Sequence, residues 1–280
     1  MKVYISADIE GTTGVVSWGQ CGSPNGNHAD WPFARRMMTH DVNAAIRGAK
    51  AAGATLVVVK DSHNTGKNLL IDELEPGTEL ISGSGSGRDG MMEGVGDGFD
   101  CAFLIGYHGM AGTWRGIMEH TISGLVHRLT INDRAAGEIE MSAATAGQYG
   151  VPLVMISSDE AGCQEASHLI PGILTAPVKT GLGRYMGRLR HPSETGPLIE
   201  LQAAEAVRRR NEITPLKLEG PVRIVLEHNR TEEVDQACLT PGWTRRDAFT
   251  IEITCDDWAT AHLATRRAMA AAGQGAGNNT

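Results

Sequence analysis

The sequence predicts an α/β protein: a layered α/β/α architecture on a largely parallel or mixed central sheet, with two intertwined lobes as a variant. Three observations carry this. β-Branched apolar runs alternate with helical-period stretches from start to finish. The runs TLVVVKDSH and CAFLIGYH are apolar without alternation, as in strands buried on both faces of a parallel sheet. No fixed-period repeat or long linker divides the chain, and the Gly-rich stretch 83–98 is too short to separate domains. Residues 1–272 therefore read as one unit, with 273–280, GQGAGNNT, as a flexible tail.

The elements follow in order. An apolar strand over residues 2–5 ends in SADIEG, and 24–30 reads as a loop. Asp30 is placed to cap a helix that opens WPFARRMM and runs to about Ala52. Phe33, Met37, Val42, Ile46 and Ala49 fall at helical spacing, and Gly53 stops it. TLVVVKDSH and CAFLIGYH are buried strands, and LVHRLTIND alternates as a partly exposed one. RAAGEIEMSAATAGQYG returns to helix and PLVMISSD to strand, with SSDE, 157–160, capping the next helix. A helix around 193–210, strands PVRIVLEHN and AFTIEIT, and an Ala-rich helix complete the chain.

Composition narrows the function. Hydrophobic content of 41% with 21% charged residues describes a globular protein. A net charge of −8 without Lys/Arg tracts argues against nucleic acid or an anionic membrane surface as the main partner. The cysteines at 21, 101, 163, 238 and 255 form no C-x-x-C pair, so neither a disulfide framework nor a thiolate zinc site is expected. Cys101, opening a buried strand, reads as packing. Asp8 precedes any long apolar run, which excludes a secretory signal, and no stretch reaches the roughly 18 apolar residues of a membrane span. The expected location is the cytoplasm. GSGRDG matches G-x-G-x-x-G, but MMEGVGDG after it is too rich in glycine for the required helix, so no nucleotide site is expected.

The chemistry concentrates at strand ends. The first strand ends at Asp8 and Glu10, the second at Asp61 and His63, the third at His108. Functional groups gather beyond the carboxyl ends of strands in open α/β sheets, so these side chains are expected on one rim. Two carboxylates and two imidazoles suit zinc or another borderline divalent metal. A third carboxylate makes room for a second ion; Glu138 and Glu140 in AAGEIEM both qualify, and periodicity does not choose between them. His120, twelve residues past His108, is within reach of the same rim. Its rival His127 alternates with Leu125, Leu129 and Ile131 and reads as a core histidine. Asp61 and Asn64 flank His63 as partners for a substrate amine, with a turn role as the alternative.

In order along the chain, SADIEG, KDSH, ISG…MMEG, GYHGMAG, GIMEH, INDRAAGE and PLVMISSD resemble the zinc-dependent D-aminopeptidases, with LIPG and APVKTG extending the likeness towards the C-terminus. The resemblance implies two Zn2+ per subunit, with Mn2+ or Co2+ as alternatives. It implies Asp8, Glu10, His63, His108 and Glu138 as ligands: Asp8 bridging, Glu10 and Glu138 on one ion, His63 and His108 on the other. It also implies His120 as the catalytic histidine. The segment GMAGTWRGIME before His120 reads as one residue longer than the family pattern. Hydrolysis of N-terminal D-amino acids from short peptides such as D-Ala-D-Ala, by a homo-oligomer forming a decameric ring, is the implied function. The alternatives are a metal-dependent hydrolase of L-peptides or other amides, and a non-catalytic dipeptide-binding or transport accessory protein.

Overall fold

The structure is a computed structural model that describes residues 1–22, 29–85 and 87–277. The chain opens with β1 (Lys2–Ala7), α1 (Trp31–Ala51), β2 (Leu56–Asp61), β3 (Thr78–Ile81) and β4 (Cys101–Ile105). The hairpin of β5 (Val126–Ile131) and β6 (Arg134–Ala136) leads into α2 (Glu138–Gln148), β7 (Leu153–Asp159) and α3 (Glu160–Leu169). Next come β8 (Leu174–Gly183), β9 (Met186–Leu189) and α4 (Pro192–Arg209). The chain closes with β10 (Val222–His228), α5 (Thr231–Ala237), β11 (Thr244–Arg245), β12 (Thr250–Cys255) and α6 (Trp258–Ala276).

Two sheets result. The larger has the order β3-β2-β1-β4-β7-β8-β9, parallel except for the antiparallel edge strand β9. β1 is central, pairing in parallel with β2 on one side and β4 on the other, and every residue from Val3 to Ala7 is buried. The crossover β1–α1–β2 steps one way along the sheet and β7–α3–β8 the other. Right-handed crossovers therefore put α1 and α3 on opposite faces. The step direction reverses between β2 and β4, at β1, which makes the carboxyl end of β1 the topological switch point where α/β sheets hold their ligands. The smaller sheet, β11-β12-β10-β5-β6, is antiparallel and carries its own core with α5 and α6. α2 joins the two cores: Ile139, Ala143 and Ala146 pack in the first, Met141 and Ala144 in the second.

The α/β class is the one expected, and several elements differ from the sequence reading. The helix expected from Arg134 begins at Glu138, because Asn132 and Asp133 at φ 49° and 66° make a two-residue hairpin turn that sends 134–136 back along β5. β3, the β8–β9 pair, α5 and β11 had no separate signal. Asp159 caps α3 as expected, accepting from Gly162 N at 2.8 Å. α6 continues through Ala276 into the segment assigned to a tail, and a Cβ at Gly275 would lie 2.3 Å from Glu232 O beneath it. Residues 278–280 and positions 24–28 of the expected loop lie outside the described residues. His127 is exposed rather than core: the register of β10 against β5 slips between Glu227 and His228, so Val126 pairs with His228 and the alternation breaks before it reaches His127.

Candidate metal centre

Three neighbouring parallel strands deliver the first ligand candidates. After Ala7 the chain leaves strand geometry but stays bound to the end of β4, with Asp8 N donating to Ile105 O at 2.8 Å and Gly11 N to Gly106 O at 2.7 Å. A turn closed by Thr12 N on Ile9 O (3.2 Å), not strand alternation, brings Glu10 beside Asp8. Glycine follows Glu10 because a Cβ at position 11 would fall 1.6 Å from Tyr107 O. Below this turn the buried ammonium of Lys179, on β8, donates to the carbonyls of Glu10, Thr12 and Val15 at 2.5, 2.9 and 2.6 Å. His63 stands two residues past β2. Asp61 accepts from Asn68 N and Nδ2 and from Leu69 N, and Asn64 donates to Gly22 O, so both act as turn residues.

His108 lies just past β4. His120 sits on the long connection to β5, whose backbone is pinned by Ile117 N on Asp159 Oδ2 (2.6 Å) and Met118 N on Arg184 O (2.7 Å). Glu138 is the first residue of α2, and its Oε1 accepts from Ile122 N at 2.6 Å. Glu140, two positions on, points elsewhere on the helix and pairs with Arg134 at 2.5 Å.

Six buried side chains thus meet: Asp8, Glu10, Glu138, His63, His108 and His120. His63 Nδ1 is 3.1 Å from both Asp8 Oδ1 and Glu10 Oε2. His108 Nε2 is 3.6 Å from Asp8 Oδ2 and 3.4 Å from Glu138 Oε1. His120 Nε2 is 3.7 Å from Glu138 Oε1 and 4.0 Å from Glu10 Oε1. Its ring stacks on His108 (4.1 Å, 12°) and meets the edge of Trp18 on the other side (5.0 Å, 75°).

Each imidazole has one nitrogen on a main-chain carbonyl. His63 Nε2 donates to Cys21 O at 3.0 Å, His108 Nδ1 to Gly109 O at 3.0 Å and His120 Nδ1 to Met118 O at 2.9 Å. A carbonyl only accepts, so the proton of each neutral ring is held there and the other nitrogen turns its lone pair toward the carboxylates. That outer hydrogen bond is the usual orienting device of metal-binding histidines. Lone pairs facing carboxylate oxygens repel unless a cation or proton stands between them. Glu10 Oε2 and His108 Nε2 are buried without a hydrogen-bond partner among the described residues, as ligand atoms directed at a shared cation would be.

The titration pattern expresses the same unbalanced charge. Burial and the adjacent Glu10 push Asp8 up to about 7. Burial opposes ionisation of Glu10, but His63 and His120 hold it well below the usual carboxylate range, and Glu138 is lowered against burial chiefly by His108. Burial disfavours charged His63 and His108, yet Glu10 raises the first and Glu138 the second well above the usual imidazole value. His120 alone among the three is lowered, by burial and by His108. A divalent cation would displace the protons these rings otherwise attract.

The cluster opens on a cavity of about 940 Å3. Trp18, Arg184 and Tyr185 line it too, and Trp18 Nε1 donates to Tyr185 Oη at 3.1 Å, closing an aromatic wall beside His120. None of these three was found from the sequence, where they stand in segments without a motif. Gly85, Gly87 and Gly90 contribute wall to the same cavity.

A family model described as D-aminopeptidase matches residues 1–266. The chain belongs to the D-aminopeptidase family. A D-aminopeptidase of Bacillus subtilis (strain 168) is 34% identical over 242 residues, covering 86% of each chain. A solved structure described as Zn-dependent D-aminopeptidase DppA from Bacillus subtilis, a self-compartmentalizing protease, superposes with a TM-score of 0.93 at 32% identity over 98% of both chains. As a family member the chain is an aminopeptidase. Its six-residue cluster contains two groups suited to a metal ion, Asp8–Glu10–His108 and His108–His120–Glu138, each with ligand atoms within 4.8 Å of one another. No helix among the described residues is long and apolar enough to cross a membrane.

Proposed function

We propose that the chain is a dinuclear zinc aminopeptidase that removes N-terminal D-residues from short peptides such as D-Ala-D-Ala in the cytoplasm. The observation that carries the metal centre is Asp8 with its two oxygens turned to different partners, Oδ1 towards His63 and Oδ2 towards His108. Asp8, Glu10, His63, His108 and Glu138 would hold the two ions between them, with Asp8 facing both. Mixed oxygen and nitrogen donors suit zinc, and the similar Bacillus structure is described as Zn-dependent; Mn2+ and Co2+ are the alternatives. When bound, such a pair polarises the scissile carbonyl and makes water more acidic.

The chain's own groups supply the rest. His120 is kept neutral by burial and by His108, and its proton on Nδ1 is held by Met118 O. Nε2 is thereby free to take a proton from the attacking water and pass it to the leaving amine. Acid–base transfer suits this ring better than nucleophilic attack, because its lone pair faces carboxylates.

We also propose a homo-oligomer, a decameric ring. Support comes from the self-compartmentalizing description of the Bacillus structure and from the edge strand β9, where Met186 and Leu189 are exposed beside Leu182 and Tyr185.

The test is metal analysis of the purified protein, turnover on matched D- and L-aminoacyl substrates with and without chelator, and the mass of the native assembly. Two zinc equivalents with chelator-sensitive cleavage of the D series are expected. Preference for L-substrates, or peptide binding without metal or turnover, would end the reading.

A further inference from the structure

We infer that Arg184 is the subsite for the C-terminal carboxylate of a dipeptide substrate. This rests on the aminopeptidase reading and narrows it to peptides whose free carboxylate lies next to the scissile bond.

Three cations line the cavity, and two are committed to its walls. The buried Lys60 ammonium donates to Asp61 O and Gly83 O at 2.6 and 2.7 Å. Arg266 Nη1 donates to Gly87 O and Arg88 O at 2.9 and 3.1 Å. Arg184 differs. Its side chain is 45% exposed, Nη2 donates to Glu119 O at 3.0 Å and Nε lies 3.4 Å from Glu119 Oε1. Nη1 has no hydrogen-bond partner among the described residues. Glu119 offers the guanidinium one oxygen, its Oε2 accepting from Gly112 N at 2.6 Å.

Position decides which cation serves. In a dipeptide only the amide nitrogen and one Cα separate the scissile carbonyl carbon from the carboxylate carbon, so the two lie about 4 Å apart at most. The recognising cation must then stand beside the groups that act on the bond. Arg184 is bound to the His120 segment twice, by its side chain on Glu119 and by its carbonyl on Met118 N. The other two cations hold main-chain carbonyls of the 61–88 segment.

A second cavity, of about 550 Å3, shares His120, Gly124 and Arg184 with the first, so Arg184 stands at their junction. A dipeptide ends there, its carboxylate on the planar guanidinium fork. A longer peptide would present a neutral amide at the same place.

D-Ala-D-Ala and D-Ala-D-alaninamide, which share the scissile bond and differ in the carboxylate, are compared as substrates of the metal-loaded wild type, Arg184→Met and Arg184→Lys. The wild type is expected to prefer the free acid in kcat/KM. That preference should fall about 10- to 100-fold in Arg184→Met, the range expected for one charge-assisted contact, and survive at a reduced level in Arg184→Lys. An acid-to-amide ratio unchanged in Arg184→Met overturns the subsite. Equal slowing of both substrates also overturns it, leaving Arg184 as a prop for the His120 segment. If the wild type cleaves neither, it is the aminopeptidase reading that fails. Calorimetric titration of the same two compounds then decides the subsite, and an unchanged acid-to-amide affinity ratio in Arg184→Met refutes it.

Discussion

Gly11→Ala is the most exacting test of how the site is held. The glycine lies one residue past Glu10, and its amide is bonded to Gly106 O at 2.7 Å. An added Cβ would fall 1.6 Å from Tyr107 O, 2.5 Å from Tyr107 C and 2.7 Å from Gly106 C. Restoring an ordinary separation of roughly 3.4 Å needs the two backbones to move apart by about 1.8 Å. Overpacking costs about 1–3 kcal/mol where side chains can rearrange, and here both obstacles are main chain at the ends of paired central strands, so about 3 kcal/mol or more is expected. The same separation moves Glu10 away from His108. A misplacement of about 1 Å at reacting groups costs about 100-fold in rate, so turnover should fall at least that far. Urea unfolding, zinc content and D-aminopeptidase turnover are measured together. With a slope of about 3 kcal/mol per molar urea the midpoint should drop by about 1 M. A variant with the wild-type midpoint and full turnover would show that the strand-end contact does not set the geometry of the centre.

Other substitutions separate the remaining roles. His120→Ala should retain metal and lose most turnover, read by metal analysis beside kinetics; loss of metal would make His120 a ligand instead. Lys179→Met strands three buried carbonyls beneath Glu10 and should cost at least about 3 kcal/mol in denaturant unfolding, with weaker zinc retention; a loss below about 1 kcal/mol would contradict it. His262, buried on α6 and near Arg266, is lowered to about 4 by burial first and by that arginine second. The unfolded chain takes up this proton near 6.5 and the folded one does not. The stabilisation is therefore complete above 6.5 and is lost as the pH falls to 4, about 3 kcal/mol in all. His262→Gln should flatten the stability profile in that window, and parallel profiles would refute the assignment.

Local sequence determined the parallel core and the first half of the site. Runs such as LVVVKD and CAFLI are apolar on both faces, which only a sheet covered on both sides accommodates, and their ends are where polar chemistry can reach solvent. That is why Asp8, His63 and His108 stood out, each just beyond a strand. Local pattern could not separate Glu138 from Glu140, since a helix start and a hairpin meet within AAGEIEM. In the folded chain Glu138 lies against His108 and Glu140 against Arg134, a difference in surroundings that periodicity does not carry. The error at His127 has the same origin: against β10, about a hundred residues away, His127 is the extra residue of a bulge in β5, which changes which β5 side chains face the core.

Little of what surrounds the candidate ligands was legible. Trp18 and Arg184 come from segments with no motif, and Lys179 lies in APVKTG with no role legible there; their value lies in what they touch: the His120 ring, Glu119 and the carbonyls under Glu10. Periodicity within a segment reports which faces are buried, so the sequence alone determined the class of fold and the ends of its strands. Which distant groups meet, such as Asp8 with His63 and His108 or Lys179 with Glu10, depends on contacts between segments far apart in the chain, and only the folded chain supplies them.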